Sequence, residues 1–208
     1  MKRSPFLLAL AFLSLGAPLF AADAPLTPAA EILQRVTFPP EFEATVFAAP
    51  PNVSYPVFIS AAPDGTLFVA CDENGSLDRK PDRGKIVMCK DTDGDGQADV
   101  FTTFAKMDSP RGVVWDATTR TLYCMHPPNL TAYTDADGDG VAEKQWDLIT
   151  GLGFGLDFRG ADHTTNGCRM GIDGWIYIAV GDYGAVKATG KDGRTLAMRG
   201  GEIGRAHV

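Results

Sequence analysis

Two short acidic segments have the residue spacing of a cation-binding loop. They read DTDGDGQAD at residues 91–99 and DADGDGVAE at residues 135–143, 44 residues further along. Each places carboxylates at positions one, three, five and nine and a glycine at position six, as in loops that surround Ca²⁺ with oxygen atoms. The predicted carboxylate ligands are Asp91, Asp93, Asp95 and Asp99 in the first acid loop and Asp135, Asp137, Asp139 and Glu143 in the second.

The two acid loops differ from an EF-hand at position twelve. That position holds Thr102 in the first loop and Trp146 in the second, so the bidentate glutamate is missing, and the flanking residues have the composition of strands. The backbone carbonyls of Gln97 and Val141 are expected to complete each shell. The alternative is a pair of Asp-Gly turns whose aspartates only cap their own backbone. Mutual repulsion of four carboxylates within nine residues favours a bound cation.

A histidine and an aspartate 19 residues apart are candidates for acid–base chemistry. His163 begins a polar loop before a predicted strand, and Asp182 follows that strand. Where the ends of successive strands gather on one face of a fold, two such residues lie close together. A histidine beside a carboxylate is a usual general base near neutral pH, although a purely structural hydrogen-bond network would have the same sequence. For His126, at a strand end before Pro127-Pro128, we predict a structural role.

The elements that must position these residues are short strands in a repeat. Turns at Asp64-Gly65, Asp116 and Asp173-Gly174 each precede an apolar, β-rich run, and Leu67, Leu122 and Ile176 within these runs are 55 and 54 residues apart. The 44-residue spacing of the acid loops falls in the range of a propeller repeat, and 54–55 residues is about the length of one four-stranded blade. We therefore predict an all-β fold, a partial β-propeller ring of about three blades at residues 42–201. The predicted strands are residues 44–47, 57–60, 67–71, 85–89, 113–115, 122–125, 130–134 and 176–180.

The first 22 residues have the pattern of a secretory signal peptide. Lys2 and Arg3 precede an apolar run too short to span a bilayer, and small residues follow it. Residues 23–41 read as a linker with a short helix, which Thr27 caps and which ends near Arg35. The mature chain is expected to be exported to the periplasm or cell surface, and this portion has no membrane span.

Charge and cysteine content limit the possible partners and the redox state of the chain. The net charge is −7, and eight of the 26 acidic residues lie in the acid loops, so the acidity is local and argues against nucleic acid as a partner. Cys71, Cys89, Cys124 and Cys168 lie in or near apolar strands. In an exported chain they could form disulfides or remain buried thiols.

A longer motif resembles a known family. It runs from His163 through Asn166-Gly167, Arg169, Gly171, Asp173-Gly174 and Ile176-Tyr177 to Gly181-Asp182 and Gly184. It is similar to the glucose/sorbosone dehydrogenase group of six-bladed β-propellers, whose active members use pyrroloquinoline quinone (PQQ) and Ca²⁺. Most of the mature chain looks like the large "membrane-bound dehydrogenase"-like proteins of planctomycetes and verrucomicrobia, through PDGTLFVA, RGKIVMCKDTDGDGQADVF, KMDSPRG, HPPNLTAYTDADGDG and RGADHTTNGCRMGIDGWIYIAVGDYG.

The resemblance implies an exported dehydrogenase. His163 would take the hydroxyl proton of a sugar or alcohol, Asp182 would orient His163 or shape the quinone pocket, and a separate or fused cytochrome c would receive the electrons. Arg111, Arg159 and Arg169 could bind quinone carboxylates, or they could tie neighbouring blades together. The loop after His163 is one residue longer than in characterised sugar dehydrogenases. The alternative function is a Ca²⁺-stabilised propeller that binds a polysaccharide or a protein without catalysis.

The last seven residues, 202–208, differ from the rest of the chain. They read EIGRAHV, polar and without the alternation expected of a strand. The codons GAG ATC GGA AGA GCA CAC GTC would encode them, and that string matches the start of a common sequencing-library adapter. We therefore expect the chain to be an N-terminal fragment with a non-native tail, and His207 enters no site.

Overall fold

The computed structural model describes residues 28–75, 77–158, 163–198, 200 and 203–207. Within these residues the protein is all-β apart from the short helix α1 (Pro28–Leu33), which lies inside the predicted linker. The signal-peptide residues, and residues 23–27 of the linker, lie outside the described part. The strands are β1 (Pro56–Ala61), β2 (Leu67–Asp72), β3 (Gly84–Lys90), β4 (Val100–Lys106), β5 (Gly112–Asp116), β6 (Thr121–His126), β7 (Asn129–Thr134), β8 (Lys144–Thr150), β9 (Cys168–Met170), β10 (Trp175–Ala179), β11 (Ala185–Gly190), β12 (Thr195–Met198) and β13 (Ile203–His207).

The strands form three antiparallel sheets. Strands β1 to β4 form the first sheet in chain order, which we call blade 1. Strands β5 to β8 repeat that order as blade 2, and the hairpin β11–β12 extends its outer edge at β8. Blade 3 consists of β9, β10 and β13, with β10 in the middle. Four-stranded antiparallel meanders repeated along the chain are the units of a propeller.

The first strands of the three blades lie side by side. Strand β5 contacts both β1 and β9, and the backbone N–H of Trp115 donates to Ser60 Oγ at 2.9 Å. A Cβ at Gly112 would lie only 2.7 Å from the backbone nitrogen of Cys168, so glycine permits the close approach of β5 to blade 3. Inner strands packed around a common centre confirm the predicted partial propeller of about three blades.

The hydrophobic cores lie between blades. Blade 1 and blade 2 share a cluster that includes Phe68, Phe104 and Leu122, and the rings of Phe68 and Trp115 stack at 4.8 Å. Blade 2 and blade 3 share a second cluster around Leu130 and Ile176. Because each blade buries its faces against its neighbours, its middle strands are buried on both faces, as β6 and β7 are.

The structure corrects two sequence predictions of local structure. Residues 44–47 do not form a strand; they pack against the first acid loop, where Ala98 donates its backbone N–H to the carbonyl of Phe47 at 2.8 Å. Residues 203–207, expected to lack strand structure, pair with β10 antiparallel. The reason is that β10 has an open edge opposite β9, whose backbone groups need hydrogen-bond partners. Their proposed non-native origin stays a prediction.

The four cysteines are free and buried. Cys71 and Cys89 lie in the core between blade 1 and the preceding segment, Cys124 between blades 1 and 2, and Cys168 between blades 2 and 3. Burial raises the pKa of the Cys89 thiol to about 11 and that of Cys168 to about 12. The structure thus has buried thiols, one of the two alternatives left open by the sequence.

Native thiols should therefore react slowly with a thiol-specific reagent at about pH 8, because the reactive thiolate is scarce and enclosed. Unfolding in guanidinium should release all four for rapid reaction. Because the pKa values are raised in the folded state, the stabilising effect of the buried thiols is present below the ordinary thiol pKa. It is lost as pH rises toward the folded values. Rapid labelling of the folded protein, or a disulfide detected by mass spectrometry, would contradict this prediction.

Candidate functional site

The structure brings His163 and Asp182 together. His163 lies before β9 and Asp182 after β10, and Nδ1 of the imidazole is 2.7 Å from Oδ1 of the carboxylate. Both side chains are at least half exposed, at 50% and 62%. Because an ionised carboxylate can only accept, the imidazole donates from Nδ1 and Nε2 becomes the basic nitrogen of the neutral ring. This geometry suits a general base oriented by a carboxylate.

Glycines allow the two loops that carry this pair to approach. A Cβ at Gly181 would collide with the carbonyl oxygens of His163 and Thr164, so a larger residue there would push the loops apart. Gly200 similarly packs against the backbone of Asp182. His163 itself has a φ of 59°, an uncommon conformation for a non-glycine residue. Backbone geometry thus fixes the approach of the two residues.

An aromatic group beside His163 was not predicted from the sequence. The Tyr183 ring centroid lies 5.3 Å from that of His163, and Phe158 meets Tyr183 edge-on at 5.6 Å. Phe154 and Phe158 stack at 4.5 Å. Arg79, from the long loop after β2, donates to the Phe158 carbonyl at 3.3 Å. The FGLDF sequence at residues 154–158 was the available signal, since paired aromatics in a glycine-containing loop often have a packing role.

Arg111 is held in a buried ion pair. Its Nη2 lies 2.6 Å from Asp72 Oδ2 and 2.6 Å from the Gly75 carbonyl, and the side chains of Arg111 and Asp72 are 7% and 0% exposed. Burial raises the pKa of Asp72, and the guanidinium of Arg111 acts against that rise. The pair joins the end of β2 in blade 1 to the residue before β5 in blade 2. This matches the structural alternative for Arg111, because the guanidinium is already engaged.

Arg169 is exposed, unlike Arg111. It lies on β9, and its guanidinium carbon is 4.8 Å from the ring centroid of Phe58 on β1. This cation–π contact joins blade 3 to blade 1 near the centre of the ring. Arg169 can therefore both tie blades together and present N–H groups to an anion. Arg159 lies outside the described residues.

The second acid loop brings all four predicted carboxylates together. Ligand oxygens of Asp135, Asp137, Asp139 and Glu143 lie within 4.8 Å of one another. Asp135 accepts backbone N–H groups from Gly138 at 2.6 Å and Gly140 at 2.9 Å. The Val141 N–H donates to Asp139 Oδ1 at 2.8 Å. The donor set is oxygen only, which suits a hard cation.

The first acid loop repeats this pattern with one difference. Asp91, Asp93 and Asp99 lie together within 4.8 Å, but Asp95 is not in their group. Asp95 instead accepts from the backbone and the side-chain amide of Gln97, at 2.8 and 3.2 Å. Hydrogen bonds from Gly96 and then Gly94 lower the pKa of Asp91. Val141, at the position of Gln97 in the second loop, has no side-chain amide to engage Asp139.

Each acid loop joins the third strand of its blade to the fourth and contacts the chain segment before it. In the second loop, Ala142 donates its N–H to the Phe104 carbonyl of β4 at 2.9 Å. In the first, Ala98 bonds the carbonyl of Phe47 in the same manner. Residues 45–47 and 102–104 share the sequence Thr-x-Phe, so the N-terminal segment contacts its loop as β4 contacts the next.

Taken together, the sheets and the exposed His–Asp pair define a β-propeller segment with a candidate acid–base site. The chain belongs to a family described as a domain of unknown function (DUF7133), whose model matches residues 28–205. No curated protein matches the sequence.

Several solved structures are similar at low identity. A gluconolactonase from Xanthomonas campestris is 17% identical over 69% of this chain and 46% of its own, with a TM-score of 0.45. A Thermus thermophilus protein described as a putative glucose dehydrogenase-type oxidoreductase is 15% identical over 62% and 38%, with a TM-score of 0.40. A calcium structure of a Trichoderma reesei family AA12 enzyme is 14% identical over 61% and 29%, with a TM-score of 0.41. The present chain spans less than half of each.

Among the described residues, no helix is both long and apolar enough to cross a bilayer.

Proposed function

We propose that the chain is part of an exported β-propeller oxidoreductase that acts on a hydroxyl group of a sugar or another alcohol. The observation that carries the proposal is the 2.7 Å contact between His163 Nδ1 and Asp182 Oδ1 at an exposed meeting of two loops. Nε2 of His163 would take the hydroxyl proton. The carboxylate of Asp182 would stabilise the resulting imidazolium and keep its ring oriented.

The hydride that leaves the alcohol carbon needs an acceptor. When bound, a quinone of the PQQ type supplies that acceptor and passes electrons on to a cytochrome c. Of the three candidate quinone-binding arginines, the two that the structure describes differ in fit. Arg169 is exposed and can hold a quinone carboxylate, whereas Arg111 is already bonded to Asp72. Arg169 is therefore the residue that we assign to the quinone.

The proposal is tested by titrating the protein with PQQ in the presence of Ca²⁺ while following the quinone absorbance. Dye reduction is then assayed with a panel of sugars and alcohols. We expect saturable quinone binding that Arg169→Met weakens, and turnover with at least one hydroxyl substrate. An absence of both quinone binding and dye reduction would reject the enzyme. The alternative would then remain, a propeller that binds a polysaccharide or a protein without catalysis. The ion pair between Arg111 and Asp72 favours this alternative, because it makes Arg111 a structural residue.

We also propose that both acid loops bind Ca²⁺. The support is the oxygen-only donor set and the convergence of four carboxylates in the second loop and three in the first. Backbone N–H groups bonded to Asp91 and Asp135 hold these loops in the wrapped form that a cation needs. The role is structural, since each loop connects the third strand of its blade to the fourth and lies away from the His163 pair.

Chelation should lower the melting temperature, and Ca²⁺ should restore it, because a ligand that binds only the folded state stabilises it. The second loop should bind more tightly than the first because it contributes one more carboxylate. Asp137→Asn should therefore weaken the tighter site, and the matched change Asp93→Asn should weaken the looser one, as measured by Tb³⁺ luminescence with Ca²⁺ competition. An unchanged melt in chelator would support the plain-turn alternative.

A further inference from the structure

A cleft lies between blades 1 and 2, and neither His163 nor Asp182 lines it. Its volume is about 340 Å³, within the usual size range of small-molecule sites. Blade 1 contributes Lys106 and Asp108 at the end of β4, and blade 2 contributes His126 at the end of β6 and Gln145 on β8. Both blades are complete four-stranded sheets, so the two walls of the cleft are present in this chain.

A chain of hydrogen bonds orients His126. Thr131 Oγ1 lies 2.5 Å from Asp147 Oδ1, and His126 Nε2 lies 2.7 Å from Thr131 Oγ1. The Asp147 carboxylate can only accept, so the Thr131 hydroxyl donates its proton to it. Oγ1 of Thr131 then accepts from His126 Nε2–H, and Nδ1 carries the lone pair of the neutral ring. The tautomer follows from the order of donors and acceptors.

The other ring nitrogen of His126 is not sealed within the protein. Nδ1 of His126 makes no hydrogen bond to any described residue, and it is not among the buried polar atoms left without a partner. It is therefore accessible, and His126 is a lining residue. Burial of the ring lowers the pKa of His126 and so favours the neutral imidazole, in which Nδ1 is a hydrogen-bond acceptor.

The other polar groups of the cleft suit an uncharged ligand with several hydroxyls. Lys106 supplies a cationic donor and Asp108 a carboxylate acceptor, so their charges balance. The amide of Gln145 can donate and accept. Met107 and the prolines after His126 add apolar surface for C–H groups. Because Lys106 and Asp108 both lie on the blade 1 wall, a charged ligand that is attracted by one of them is repelled by the other.

We propose that this cleft is a second ligand site, which takes a neutral polyhydroxyl compound of monosaccharide size and holds one of its hydroxyls at Nδ1 of His126. The site does not depend on the activity proposed for His163, because it shares no residue with that pair. Its role is binding, with the Asp147–Thr131 hydrogen bonds fixing the ring that receives the hydroxyl.

The test follows the imidazole ¹H–¹³C resonances of the protein during titration with D-glucose, with gluconate and glucosamine as charged comparators. Glucose should shift the His126 resonance saturably, and the same shift should be seen in the His163→Gln variant. His126→Gln keeps a donor that can reach Thr131 but removes the acceptor at Nδ1. In that variant, calorimetry should show binding weakened by about tenfold or more. Lys106 lies on the opposite wall and at the protein surface, so Lys106→Met should weaken glucose binding severalfold without affecting the fold.

The control is His163→Gln, which should leave glucose binding at the cleft unchanged even if it abolishes turnover. The proposal is overturned if none of the three probes shifts His126, or if a charged probe binds more tightly than glucose. It is also overturned if glucose binding survives both cleft variants and disappears in His163→Gln. If His126→Gln does not fold, the Lys106→Met result decides alone.

Discussion

Replacing Arg111 by methionine should destabilise the protein by about 3–5 kcal/mol, because it leaves the Asp72 carboxylate buried and unpaired. Asp72 is 0% exposed and loses the 2.6 Å contact that offsets its desolvation. Urea unfolding at neutral pH would measure the loss. The same change at Arg83, whose ion pair with Glu73 is largely exposed, should cost less than about 1 kcal/mol.

The pH dependence of this variant has a definite sign. Without Arg111, the pKa of folded Asp72 rises further above its unfolded value. Such a group favours the folded state at low pH and disfavours it as pH rises, so the deficit should shrink as pH falls from about 7 to about 5. The double variant Arg111→Met with Asp72→Asn should recover part of the stability. A deficit that is independent of pH, with no recovery in the double variant, would mean that lost packing dominates.

His163→Gln should reduce turnover by roughly 10²–10⁴-fold in the PQQ-loaded protein while leaving the melting temperature nearly unchanged. Glutamine removes the basic nitrogen, whereas the exposed contact with Asp182 contributes little to folding. The measurement is steady-state dye reduction beside a thermal melt. Equal losses of activity and stability would assign His163 a structural role.

Asp182→Asn provides the graded comparison for that prediction. The amide oxygen can still accept from Nδ1–H, but it carries no charge to stabilise the imidazolium. The loss in kcat should therefore be smaller than that of His163→Gln, with little change in KM. If Asp182→Asn matched wild type, the carboxylate would have no part in proton transfer.

Local patterns predicted the parts of the structure that depend on nearby residues. Asp and Gly at fixed spacing predicted that the acid-loop carboxylates lie together. Apolar β-rich runs predicted the middle strands β2, β3, β6 and β7. These strands are buried on both faces, so they are rich in apolar and β-branched residues and can be recognised from the sequence. The motif around residues 163–184 identified two residues that the structure brings to 2.7 Å.

Long-range contacts and the outer strands were harder to predict from the sequence. Strand β8, KQWDLIT, is exposed over its first four residues and lacks a clean alternation because its outer position buries little. Asp72 and Arg111 are 39 residues apart, and no local pattern indicates that they form an ion pair. In the first acid loop, Asp95 lies apart from the other three carboxylates because it accepts a hydrogen bond from the Gln97 side-chain amide. Residue spacing alone does not predict this hydrogen bond.

The contact between the second acid loop and blade 1 has a consequence for cooperativity. Gly140 lies close against the Met88 side chain of β3, and Ala142 bonds to Phe104 of β4, so blade 1 stabilises the ordered form of this loop. Folding of blade 2 is thereby coupled to folding of its neighbour, as in a one-dimensional array with strong nearest-neighbour terms. A substitution that disorders this loop should therefore weaken the coupling between the blades. The unfolding transition should become less steep, and the two blades should begin to melt as separate units.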